Sequence, residues 1–249
     1  MIGTGVTAKA AHATVRPRVF DRRARLAGGA VAGLGILFVL LALALRGSAG
    51  TSLDLSIALL VQQADDPTFA RLMVAISALG YAPWSWAIFW AAVVGLLATG
   101  LWREALLVVA THGVGVLVGL IKLVVERPRP TDDVVRVLSQ VGEYSFPSGH
   151  VASYVCFFGL LFFLAYALFR ASWWRTVALV LLGVPIGLVG VSRVYLGHHW
   201  ASDVLGGYAL GLAYLLILIE IDRHVIATPT NARRRRAMPP VAMTARGAP

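Results

Sequence analysis

Three short stretches of the chain hold residues whose types and spacing can do chemistry together. They are Lys122-Leu-Val-Val-Glu-Arg-Pro-Arg129-Pro130, then Pro147-Ser148-Gly149-His150, then a stretch from Ser192-Arg193 through His198-His199 to Asp203. Lys122 and Arg129 flank the end of an apolar run that Pro128 and Pro130 terminate, so both can face one pocket and donate to an anion. Arg193 adds a third cation. Pro147 suits the first turn of a helix. The free N–H groups of Ser148, Gly149 and His150 are then expected to cradle an anion at the positive end of the helix dipole, and Gly149 admits an oxyanion closely. His199 and Asp203 are four residues apart, one helical turn, so Asp203 can accept from one ring nitrogen and leave the other free as a nucleophile. Cations, a helix N-terminus and a carboxylate-paired histidine describe phosphoryl transfer through a phosphohistidine.

The elements that must position these residues are membrane spans. Of 249 residues, 58% are apolar and 14% charged, with a mean hydropathy of +0.77. A soluble domain carries roughly 25% charged residues, so this chain cannot cover a water-facing surface. With about 20 apolar residues needed per span, six runs qualify, near 26–45, 82–102, 105–125, 148–169, 175–191 and 202–220. Gly80 and Pro83 divide the uncharged stretch 72–102, which leaves 67–80 as a surface helix. The segment 53–63 is too short to span and is expected along the interface. The expected fold class is all-α, a polytopic membrane protein of six transmembrane helices plus short interfacial helices. Its expected domains are a basic N-terminal tail at 1–25, a membrane domain at 26–222, and a basic disordered tail at 223–249. Glycine pairs four apart at Gly29/Gly33, Gly115/Gly119, Gly183/Gly187 and Gly207/Gly211 read as close helix-packing positions. The single cysteine, Cys156, excludes an intramolecular disulfide.

The net charge of +10 is concentrated at the ends: 12 of 22 basic residues lie before the first span or after the last. Such tails mark the cytoplasmic side and anionic lipid headgroups, and no nucleic-acid motif accompanies them. With the even loops, 15 basic residues fall on the side of the termini and seven on the other. This places the termini in the cytoplasm and all three chemical clusters on the extracytoplasmic face. Taken singly, Arg127 or Arg136 reads as a snorkelling anchor, Pro-Ser-Gly as a cap, and His112 or His198 as packing residues. A metal at His198, His199 and Asp203 is disfavoured, because adjacent helical residues point apart and no carboxylate cluster joins them. What the single readings leave unexplained is the coincidence of three clusters at one membrane face.

Together the clusters resemble the tripartite signature of the type 2 phosphatidic acid phosphatase and haloperoxidase superfamily. The matched residues are Lys122, Arg129-Pro130, Pro147-Ser148-Gly149-His150, Ser192-Arg193, His199 and Asp203, and the spacing selects His199 over His198. The resemblance implies that His199 attacks phosphorus, Asp203 holds its tautomer, and His150 protonates the leaving group and later activates water. Lys122, Arg129, Ser148, Gly149 and Arg193 would bind the phosphate, with no metal and no other cofactor. It implies a metal-independent phosphatase acting on a lipid phosphate in the cell membrane, either a phosphatidate-like monoester or a polyprenyl diphosphate. A haloperoxidase is disfavoured because those relatives are soluble. A transporter would carry its ionisable groups near the midplane, and an inactive scaffold should lack at least one of these residues.

Overall fold

The computed structural model describes residues 17–139, 142 and 144–226, so most of both basic tails lies outside the described residues. The described chain is all-α: α1 Pro17–Leu45, α2 Ser52–Gln62, α3 Pro67–Ala78, α4 Trp84–Ala98, α5 Trp102–Ala110, α6 Gly113–Val125, α7 Gly149–Leu168, α8 Trp173–Tyr195 and α9 Ala201–Ile226. Local chemistry sets several starts. Thr51 and Asp54 form a capping box for α2, Asp66 caps α3 with Pro67 in its first turn, and Ser172 accepts from the Arg175 amide to open α8. The tail boundaries expected at 25 and 223 fall inside α1 and α9, because arginine is a good helix former and the helices run on past their apolar cores.

Among the described residues five helical stretches are long and apolar enough to cross a membrane: α1, α5 with α6, α7, α8 and α9. The expected span at 82–102 is instead the 15-residue α4, about 22 Å at 1.5 Å per residue, which is short of a hydrocarbon core about 30 Å thick. It ends in a Schellman turn, where Leu101 N donates to Leu96 O at 2.8 Å and Gly100 N to Leu97 O at 2.9 Å. That turn folds α5 back along α4 and returns the chain toward the end of the bundle where α6 stops. Among the described residues the bundle thus has five helical stretches of membrane length and, packed on α5, the shorter apolar α4. Between α5 and α6 the helix breaks at Thr111–His112, with the Thr111 hydroxyl on Val108 O at 2.6 Å.

Helix α7 is the centre. Val151, Ala152, Val155, Cys156, Leu160 and Leu164 along it are buried among α5, α6, α8 and α9. Outward faces carry Ile36, Leu120, Val124, Trp174 and Leu181 exposed, the surface a lipid bilayer covers. Of the four glycine pairs, Gly207 and Gly211 are tight packing positions: a Cβ there would lie 2.8 Å from Ser148 O and 3.0 Å from Ala152 O on α7. Gly29, Gly33, Gly115, Gly119 and Gly187 have open space where a Cβ would stand, so the packing expected of their pairs is absent.

Candidate active site

Most buried polar side chains gather at one end of the bundle: Asp54, Ser77, Arg127, Ser145, Ser148, Ser192, Arg193, His198, His199 and Asp203. The turn from α8 into α9 builds the centre. After Tyr195 the chain reverses at Gly197, whose φ of +69° suits glycine, and a Cβ there would lie 2.9 Å from Val137 Cα, so the close approach needs glycine too. His198 N and His199 N both donate to the Arg193 carbonyl, at 3.0 and 3.3 Å. Because α9 begins only at Ala201, His199 stands in the turn and not one helical turn below Asp203 as the spacing suggested. Asp203 is the third residue of α9 and reaches back to the Trp200 N–H at 2.8 Å, half of a capping box. Its Oδ2 lies 3.6 Å from His199 Nδ1, within ion-pair reach but longer than a direct hydrogen bond.

The other ring nitrogen of His199, Nε2, lies 3.3 Å from Arg129 Nη1. Arg129 is fixed by two carbonyls, Gly142 O at 2.7 Å and His198 O at 2.5 Å. Lys122 donates to Tyr144 O at 2.6 Å. Arg193 is 1% exposed and donates to Ser77 Oγ at 2.6 Å and the Tyr81 hydroxyl at 3.1 Å. Burial and the Arg193 charge lower Arg129 to about 10, so it stays cationic at neutral pH. Burial, then Arg193, Arg129, Lys122 and His198, hold His199 well below the usual histidine range, so its imidazole is neutral. His198 is likewise lowered to about 4, by burial first and then by Arg193 and Arg129, and its Nε2 pairs with Ser139 Oγ at 2.9 Å.

At the start of α7, the Ser148 N–H is committed to the Asp203 carbonyl at 3.0 Å, so it is not part of the expected anion cradle. The first-turn amides of Gly149 and His150 precede the first backbone bond of the helix, Ala152 N to Ser148 O at 3.1 Å. Ser148 Oγ and His150 Nε2 are buried without a hydrogen-bond partner among the described residues. The His150 ring rests on the Tyr81 ring with centroids 4.4 Å apart, which ties it to Arg193 through the Tyr81 hydroxyl. Every signature residue therefore lies in one polar cluster.

Sequence reasoning missed four supporting residues. Arg127, expected as an anchor when taken alone, is wholly buried and pairs with Asp203 at 2.6 Å and Asp54 at 2.8 Å. Asp54 and Ser77 come from segments expected at the surface, and Tyr81 from the break between the second of them and the next span. The signal that could have found Asp54 is a carboxylate inside an otherwise apolar helix. From Tyr81 a cavity of about 330 Å³ runs into the bundle between α4, α7 and the α5–α6 break, lined by Trp86, Phe89, His112, Tyr154 and Phe157. His112 packs there on Phe89 and Trp86, with ring centroids 4.1 and 5.6 Å apart.

A helical bundle with membrane-length apolar helices and a cluster of cations and histidines at one end has the parts of an integral membrane phosphatase. The PAP2 superfamily profile matches residues 103–225. Phosphatidylglycerophosphatase B of Bacillus subtilis (strain 168) is 30% identical over 197 residues, covering 77% of this chain and 94% of its own length. The chain belongs to the PAP2 superfamily. Lipid phosphate phosphatase delta of Arabidopsis thaliana is 31% identical over 114 residues, covering 41% of this chain and 27% of its own. The crystal structure of a transmembrane PAP2-type phosphatidylglycerolphosphate phosphatase from Bacillus subtilis superposes with a TM-score of 0.67 at 28% identity, covering 78% of this chain and 96% of that one. That of Aquifex aeolicus LpxE gives 0.54 at 21% identity, covering 68% and 96%, and shares the fold.

Proposed function

We propose that this chain hydrolyses lipid phosphomonoesters at the extracytoplasmic face by two in-line phosphoryl transfers through His199. The observation that carries the proposal is the setting of that ring: neutral, with Nδ1 toward Asp203 and Nε2 beside Arg129. Nε2 forms a bond to phosphorus as the bond to the lipid oxygen breaks, and His150 gives the departing oxygen its proton. Asp203, its Oδ2 3.6 Å from Nδ1, supports the cationic phosphohistidine through its charge. Neutral His150 then takes a proton from water, the water oxygen bonds to phosphorus, and the N–P electron pair returns to His199 as phosphate leaves. Lys122, Arg129, Arg193, the Ser148 hydroxyl and the Gly149 amide stabilise the equatorial oxygens, each such donor being worth about 3–4 kcal/mol in the transition state. No step calls on a metal.

The substrate reading rests on charge and on the cavity. Among basic residues near the pocket, Arg127 is engaged by Asp54 and Asp203, and Arg136 lies outside over the Tyr195 ring. The signature cations thus suit one phosphate, which favours a monoester over a polyprenyl diphosphate. The similarity to a phosphatidylglycerophosphatase supports a glycerophospholipid monoester, phosphatidylglycerophosphate or phosphatidate. The apolar cavity beside His150 would hold part of the lipid and position its phosphate. The split of 15 basic residues against seven supports the extracytoplasmic assignment, and the basic residues in 1–16 and 227–249 would lie against anionic lipids.

The test is kcat/KM for phosphatidylglycerophosphate, phosphatidate, a polyprenyl diphosphate and a soluble aryl phosphate in one detergent. Lipid monoesters should lead. A diphosphate preferred tenfold, about 1.4 kcal/mol, rejects the monoester reading, and equal use of the aryl ester rejects the lipid-anchoring argument.

A further inference from the structure

Below the phosphate-binding residues lies a second, fully buried ionic layer that the phosphate does not touch. Arg127 Nη1 donates to Asp203 Oδ1 at 2.6 Å and to Ser202 Oγ at 2.7 Å, while Nη2 donates to Asp54 Oδ2 at 2.8 Å. Asp54 also accepts from Ser202 N at 2.9 Å, Ser202 Oγ at 2.7 Å and the Thr51 N–H at 3.1 Å. Asp203 completes its shell with the Ser145 hydroxyl and the Trp200 N–H. Exposures are 0% for Arg127, 2% for Asp54 and 0% for Asp203. Burial opposes ionisation of Asp54, yet donors from Ser202, Arg127 and Thr51 outweigh it, and its carboxyl lies below the ordinary carboxylate range.

Charge arithmetic gives this layer a purpose. An Arg127–Asp203 pair alone is neutral, and a neutral pair lends little to a positive charge growing on His199. With Asp54 present the trio carries one net negative charge, so Asp203 keeps its field at His199 while Arg127 fixes its orientation. We infer that Asp54 and Arg127 form a charge-balancing clamp that positions Asp203 and preserves its negative field at the nucleophile. The clamp rests on the phosphohistidine reading, and it makes α2, which lies outside residues 103–225, part of the catalytic apparatus.

A merely structural ion pair and a clamp give different kinetics. His199 is faced by Arg193 from α8, Lys122 from α6, Arg129 from the segment after α6, His150 from α7, Asp203 from α9 and its neighbour His198. Asp54→Asn leaves Arg127 uncompensated in that field. The expected result is a fall in kcat of about 10- to 100-fold, the size seen when outer-shell partners are removed, with KM unchanged. Added positive charge disfavours protonation of His199, so the acid limb of kcat/KM should move to lower pH. In Asp54→Asn/Arg127→Met the opposite charges leave together, and both kcat and the acid limb should return toward wild type relative to Asp54→Asn. Melting temperature in detergent and Asp54→Glu, which restores the charge, report on folding. With His199→Ala inactive, a folded Asp54→Asn at wild-type kcat, or a double variant no better than Asp54→Asn, overturns the clamp alone. Persisting turnover in His199→Ala overturns the phosphohistidine reading and the clamp with it.

Discussion

The seam between α7 and α9 sets the distance between the phosphate-binding turn and Asp203, and a single methyl group tests it. A Cβ on Gly207 would lie 2.8 Å from Ser148 O and 2.9 Å from Val151 Cβ. One neighbour is backbone and the other is the root of a side chain, so neither can swing aside. Ordinary carbon contact begins near 3.5 Å, and Gly207→Ala must part the helices by about 0.6 Å. Asp203 is one turn before Gly207, and its carbonyl holds the Ser148 N–H, so the shift falls between the carboxylate behind His199 and the turn carrying Ser148 and His150. A displacement of 1 Å can cost about 100-fold in rate. Scaled to 0.6 Å, kcat should fall by about 15-fold, and overpacking should cost about 1–3 kcal/mol of stability. The assay is kcat on phosphatidate micelles beside thermal unfolding in the same detergent. Gly115→Ala and Gly119→Ala meet nothing within 4 Å and should stay within about twofold of wild type, as surface substitutions do. A wild-type Gly207→Ala, or equal damage from Gly119→Ala, refutes the reasoning.

Other outcomes follow from the same geometry. His199→Ala should abolish phosphate release while His198→Ala retains it, because His198 is turned to Ser139, and the reverse pattern exchanges their roles. Since His199 titrates well below 6.5 and must be neutral to attack, kcat/KM should not fall on acidification through pH 6.5 on its account; an acid limb centred there that moves to higher pH in Arg129→Met contradicts this. Turnover should persist in excess EDTA and be inhibited by vanadate, and chelator-sensitive activity restored by a divalent ion ends the metal-free mechanism. In a Cys156→Ser background, cysteine at Asp133 should react with an impermeant thiol reagent in intact cells and cysteine at Ala171 should not; reversed labelling puts the site in the cytoplasm.

Hydropathy makes the spans legible because a bilayer demands about 20 apolar residues whatever their packing. It misjudged α4, since past the Gly80 and Pro83 division the uncharged run to 102 reads as one span, while the Schellman turn at Gly100 ends the helix at Ala98. The signature clusters were legible because their residues are polar against an apolar background. Arg127 was not, since an arginine at a helix end has the same sequence signature whether it anchors in headgroups or pairs with buried carboxylates. Asp54 lies 73 residues from Arg127, and only the docking of α2 under the α8–α9 turn brings them together. The glycine pairs show the converse failure: identical spacing packs tightly at Gly207/Gly211 and faces open space at Gly115/Gly119, because spacing says nothing of which face meets a neighbour.

The charge of the whole cluster bears on substrate. Lys122, Arg127, Arg129 and Arg193 oppose Asp54 and Asp203, and His199 and His198 are neutral at pH 7, so before His150 takes up its catalytic proton these ionic groups sum to +2. A phosphomonoester carries between −1.5 and −2 at that pH, and binding it leaves the buried site near neutrality. A lipid diphosphate brings more negative charge than these cations match, and uncompensated charge in a low-dielectric site is costly. Asp54→Asn raises the sum to +3. It should therefore lower turnover of the monoester, through Asp203, while raising the ratio of kcat/KM for polyprenyl diphosphate to that for phosphatidate. Measuring both substrates with wild type and Asp54→Asn in one detergent gives that ratio free of differences in active fraction. A ratio that is unchanged or falls would mean that the second phosphate lies outside the field of the buried cluster, and that the preference is set instead by the lipid in the cavity beside Tyr81.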